Sequence, residues 1–236
     1  MCFSAEASLG VAIALLPAGA YCVEAAWRKD RGYLPLAFVP VLFGLQQLCE
    51  AAVWIGMGRE NPETVRVASL GFLFFALAVW PAWIPLALAT VESRAWNRRA
   101  LFLLAGLGVL FGLVYYLPVA TAGGRGLDPT AVGHSIRYDL SVVPAVRSSW
   151  WWLWPSLYVA AVCSPLLASR DRRLRTLGTA VGLSAAVAYA LFEYAFASVW
   201  CFLAAVLSFY LVYILWLLFG AAERIPKPEI RVLPSN

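Results

Sequence analysis

The stretch LGTAVGLSAAVAYALFEYAFASVWCFLAAVLSFYLVYILWLLFG, residues 177–220, decides how this chain is built. It is apolar almost throughout, Glu193 being its only charged residue. It is also about twice the ~20 residues that cross a hydrocarbon core. The spacing therefore predicts two crossings, divided near Ala197-Ser198. Working outward, further apolar runs of spanning length lie at 7–26, 34–57, 66–90, 99–119 and 150–168. With 177–197 and 199–220 they predict an all-α, seven-helix transmembrane bundle. Composition agrees. The 236-residue chain is 62% hydrophobic and 13% charged, with a mean hydropathy of +0.76. That excludes an ordinary soluble domain, which is about half apolar and a quarter charged.

Cations set the expected orientation, because the cytoplasmic side carries the excess. Arg28, Lys29 and Arg31 follow the first run, and Arg94, Arg98 and Arg99 the third. Arg170, Arg172, Arg173 and Arg175 follow the fifth, and Arg224, Lys227 and Arg231 lie near the end. Only Arg59, Arg66, Arg125, Arg137 and Arg147 fall on the other side. The N-terminus is thus expected outside and the C-terminus cytoplasmic, in the cell inner membrane. Residues 1–222 form a single membrane domain with an outer loop at 120–148, and 223–236 a cytoplasmic tail. The net charge of +5 follows from this asymmetry, so it implies no nucleic-acid partner. The bilayer is the partner implied, with a small-molecule or lipid-like substrate; oligomeric state is left open. MCFSAEASLG lacks a basic leader and carries Glu6, so the first helix is expected to stay in the mature chain.

Packing signals are plain. Gly108 and Gly112 form a small-xxx-small pair that admits a close helix neighbour. Pro81 and Pro85 remove backbone donors four residues apart and predict a kink in the third span. In the outer loop, Asp128-Pro129 can open a short helix as cap and first residue, and SIRYDLSVV reads as extended.

Chemistry concentrates in FGLQQLCEAAVW, residues 43–54. Gln46, Gln47 and Glu50 share part of one helix face. A carboxylate in a spanning helix is expensive unless paired, hydrated or protonated, and it turns into the bundle. No Lys or Arg lies within the spans, which leaves Arg137 of the loop, a proton or a cation as partners. Cys2, the sole histidine His134, Glu193 and Cys201 reach the same depth from other segments. Metal ligation by Cys2, Glu50, His134 and Cys201 is one reading, suited to zinc, copper or iron. Glu50 would then also act as the catalytic base. A protonated Glu50 held by neighbouring amides, a Cys2–Cys201 disulfide, a solvated His134 and a hydrated Glu193 are the plainer alternatives. Glu24, four residues before Arg28, reads as a surface pair.

MCFSAEAS, FGLQQLCEAAVW, GHSIRY and SVWCFLAA together resemble an uncharacterised bacterial multi-pass membrane family whose members begin MCFSA and carry a domain of unknown function. The resemblance covers nearly the whole chain. It implies a seven-helix membrane protein without an assigned activity, and it points to Cys2, Ser4, Gln47, Glu50, His134, Tyr138 and Cys201. The three-histidine zinc site of alkaline ceramidases and adiponectin receptors has no counterpart here, and the last span lacks a retinal-binding lysine. Three functions are compatible with these residues: a metal-dependent membrane enzyme or redox protein, a proton- or ion-coupled small-molecule transporter, and an accessory subunit of a membrane complex.

Overall fold

The computed structural model describes residues 4–147 and 153–220. The chain is overwhelmingly helical. Ser4 starts α1 (Ala5–Lys29) by accepting the Ala7 amide at 3.3 Å, an ordinary N-cap. A 3₁₀ turn (Arg31–Tyr33) and the single turn α2 (Leu34–Ala37) lead into α3 (Val39–Gly58). Asn61 caps α4 (Pro62–Leu73), with Pro62 at the first helical position, where its missing N–H is harmless. A π-helical segment, Phe74–Val79, joins α4 to α5 (Trp80–Val91). Next come α6 (Ala95–Tyr115) and the short α7 (Leu117–Thr121). A hairpin of β1 (Thr130–Val132) and β2 (Ser135–Arg137) follows, then α8 (Leu153–Ala168), α9 (Arg172–Phe192) and α10 (Phe196–Gly220).

Among the described residues, five helical runs are long and apolar enough to cross a membrane: Ala5–Lys29, Arg31–Gly58, Pro62–Val91, Ala95–Thr121 and Arg172–Gly220. The last has 49 residues and is broken by a 3₁₀ turn at Glu193–Ala195. The break therefore precedes the expected Ala197-Ser198 division. Glu193 lies exposed at the turn, whereas Ser198 is buried inside α10 and engaged in the core. The exterior is greasy in the way a bilayer requires: Leu103 is 73% exposed, Leu107 61% and Leu191 66%.

The expected kink in the third span takes a specific form. Pro81 has no N–H, and the turns before it widen so that the Trp80 amide reaches Phe75 O, five residues back. Pro85 in turn leaves the Pro81 carbonyl without its usual helical donor. Gly108 of α6 fits against that carbonyl so closely that a Cβ there would lie 2.1 Å from Pro81 O. Gly112 meets Ala78 in the same way. The small-xxx-small pair is thus the seam between α5 and α6.

In the loop of residues 120–148, Asp128-Pro129 opens no helix, contrary to expectation. The chain runs instead into β1, because Thr130–Val132 satisfies its backbone against Ser135–Arg137 in antiparallel register. Gly133, at φ 60°, and His134 make the two-residue turn. Glycine suits that position because the left-handed conformation clashes with a Cβ. Ile136 is wholly buried against Val53 of α3 and Ala68 of α4, which fixes the hairpin over one end of the bundle. At the opposite end, Lys29 bonds to the Phe219 carbonyl, tying α1 to α10. The core between these ends is built from α1, α3, α5, α8, α9 and α10.

Candidate functional site

α3 directs three consecutive polar positions of one face into the bundle. Gln46 and Gln47 are 0% exposed and Glu50 2%. The Glu50 carboxylate accepts from Gln47 Nε2 at 3.1 Å through one oxygen and from the Ser198 hydroxyl of α10 through the other. Gln46 Oε1 accepts from Trp80 Nε1 at 2.8 Å. A buried indole needs such an acceptor. Trp80 then stacks on Phe43, centroid to centroid 3.8 Å, one turn before Gln46 on α3. An aromatic floor therefore lies directly beneath the amides.

These bonds do not use every polar atom. Gln47 Oε1, Ser69 Oγ, Trp54 Nε1 and Tyr138 Oη are buried and without a hydrogen-bond partner among the described residues, whereas the Gln46 amide faces the Cys201 thiol. Ser69 of α4 is fully buried. Tyr138, just after β2, stacks on Phe72 at 5.0 Å. Burial first, and Glu50 second, push its phenol well above the ordinary range, so it serves as a neutral hydroxyl. No cation pairs with Glu50 among the described residues. Arg137, the expected loop partner, is exposed on β2.

Of the four proposed metal ligands, the structure brings Glu50 and Cys201 into one buried region. Cys201 is a free thiol beside Gln46. His134 sits exposed at the tip of the hairpin, because its position in a two-residue turn points it away from the core. Cys2 lies outside the described residues. Among those residues, no three of His, Cys, Asp and Glu gather where they could hold a metal ion. Glu193 is exposed at the α9–α10 turn, 3.4 Å from the Tyr189 hydroxyl, and does not join the buried cluster. Glu24 pairs with Arg28 at 2.6 Å as expected.

Three participants were not singled out from the sequence: Ser198, Ser69 and Trp80. Ser198 carried a usable signal, standing three residues before Cys201 on the same face of one helix. Ser69 and Trp80 carried none, since each reads as an ordinary residue of an apolar helix until its neighbours are known.

The fold and the buried cluster define a helical protein of membrane-spanning type with an unpaired acidic group in its core. The chain belongs to the Family of unknown function (DUF6629), whose profile matches residues 1–226. No curated protein and no solved structure matches it.

Proposed function

We propose that this is an integral membrane protein of the cell inner membrane that crosses the bilayer seven times, N-terminus outside. Glu50 is the proton-exchanging centre of a site for a small hydrogen-bonding molecule. Splitting the last of the five runs into α9 and α10, with 21 and 25 residues, raises the number to six. The apolar α8, 16 residues over Leu153–Ala168, supplies the seventh crossing in this reading, and the arginine-rich connections fall at one end of the bundle.

The observation that carries the site is the set of unsatisfied polar atoms around one uncompensated carboxyl. Each buried polar atom left without a partner is destabilising by ~1–3 kcal/mol. Gln47 Oε1, Ser69 Oγ and Tyr138 Oη thus offer donors and an acceptor that a polar guest would complete. Glu50 is bonded to Gln47 and close enough to Tyr138 to act on its phenol, with a carboxyl able to give or take a proton. Through-transport has less support. Toward the α3 start, the core continues with Leu15, Leu36, Phe43 and Ile84. The buried polar group toward that half, Ser208, is bonded to its own helix at Ala205 O. Below the site the described core is therefore apolar.

Labelling with N,N′-dicyclohexylcarbodiimide, which attacks protonated carboxyl groups in apolar surroundings, tests the proposal. Peptide mass spectrometry is expected to find Glu50 modified in detergent-solubilised protein, with labelling lost as rising pH removes the proton. Glu50 unmodified at every pH, while exposed Glu24 responds to a water-soluble carbodiimide, would show a sealed structural group and end this reading.

A further inference from the structure

The end of the bundle opposite the hairpin carries a groove that the Glu50 site does not use. It lies between the α5–α6 pair and the α8–α9 pair and holds about 390 Å³. Its floor is apolar, formed by Leu88, Leu101, Leu104 and Leu215. Its rim is polar and carries both charges, with Glu92, Asn97, Arg170, Asp171 and Arg173. The two connections that flank it, residues 92–99 and 169–175, carry seven arginines against Glu92 and Asp171. Both acids are already engaged: Glu92 accepts the Arg94 amide at 2.9 Å, and Asp171 accepts the Arg173 amide at 2.7 Å. Among the described residues, none of the seven guanidinium groups is in an ion pair.

The geometry points to this groove as a specific site for an anionic phospholipid. Its phosphate lies between Arg170 and Arg173, and an acyl chain runs along the leucine floor. A guanidinium fork matches phosphate oxygens bidentately, and a basic pocket between spanning helices recognises acidic headgroups. The apolar floor separates this occupant from free phosphate, which would gain nothing from it. It also separates the site from a diffuse basic surface, which would need no floor. The assignment rests on membrane insertion but not on the role of Glu50.

Native mass spectrometry of the full chain in detergent tests it, with phosphatidylglycerol and phosphatidylcholine of matched chains added in turn. Wild-type protein is expected to retain phosphatidylglycerol about tenfold or more over phosphatidylcholine, because both carry a phosphate but the choline ammonium cancels the charge and is repelled by the two arginines. Arg170→Gln with Arg173→Gln brings the ratio close to parity, whereas Arg98→Gln with Arg99→Gln, off the groove lining, preserves it. Ala168→Trp, which leaves the charge unchanged and fills the groove, also lowers retention. Equal retention of the two lipids by wild type would overturn the assignment. So would equal losses in both arginine pairs, undiminished retention in Ala168→Trp, or displacement of the lipid by excess inorganic phosphate.

Discussion

At the scale of single residues, Glu50 and Ser198 carry the most testable interaction, because each buried group depends on the other. Ser198→Ala leaves one carboxylate oxygen without its donor and should destabilise the protein by ~1–3 kcal/mol. Glu50→Gln keeps the shape of the side chain and can still accept from Ser198. The combination of the two substitutions should therefore be less damaging than the sum of the separate effects. Denaturation in detergent across this double-mutant cycle measures the coupling, and strict additivity would mean that the two side chains do not interact. His134 makes the opposite case. It is exposed at a turn tip, so His134→Ala should change stability by no more than ~0.5 kcal/mol. The same thermal-unfolding series checks it, and a large loss would show that the imidazole has a partner after all. Glu50, Gln46 and Gln47 were legible in the sequence because intramembrane polar groups are rare enough to stand out. Glu193 looked equivalent by depth, but depth along a helix says nothing about which way a side chain faces.

At the scale of elements, the α5–α6 seam shows how two weak local features fix a contact. Prolines 81 and 85 disturb the helix, and glycines 108 and 112 let a neighbour come close to the disturbed backbone. The two glycines of α6 nearest in sequence differ sharply in what surrounds them: a Cβ on Gly108 would sit 2.1 Å from Pro81 O, while one on Gly106 meets nothing within 4 Å. Gly108→Ala should therefore force the helices apart and destabilise by ~1–3 kcal/mol. Gly106→Ala should be neutral or stabilise by up to ~1 kcal/mol through helix propensity. Unfolding of the two variants side by side in one detergent reads the difference directly; equal behaviour would place the seam elsewhere. Both the glycine pair and the prolines were readable in advance, but not that one faced the other. The hairpin was less legible. A cap-plus-proline signal at Asp128-Pro129 is local, whereas the pairing of Thr130–Val132 with Ser135–Arg137 and the burial of Ile136 depend on partners brought together only by folding.

At the scale of the whole molecule, hydropathy and cation placement were enough to predict helices in the membrane, because a bilayer demands long apolar runs and an excess of cations on one side. They placed the break in residues 177–220 only approximately. The 3₁₀ turn at Glu193–Ala195 now makes the crossing pattern a sharp question. If α9 and α10 are separate crossings, Tyr194 must emerge on the hairpin side with Arg125, and Ser93 and Ser169 on the arginine-rich side. Cysteines introduced one at a time at these four positions, in a background carrying Cys2→Ser and Cys49→Ser and treated with a membrane-impermeant maleimide, test the arrangement; the remaining thiols Cys22, Cys163 and Cys201 are buried and should contribute little background. Tyr194→Cys and Arg125→Cys should label in intact cells, and Ser93→Cys and Ser169→Cys only after permeabilisation. Labelling of Tyr194→Cys with the second group would place the α9–α10 turn on the cytoplasmic side. The Ser198 donor could then no longer approach Glu50 from the outer leaflet, and the lipid groove would lose its position at the inner interface.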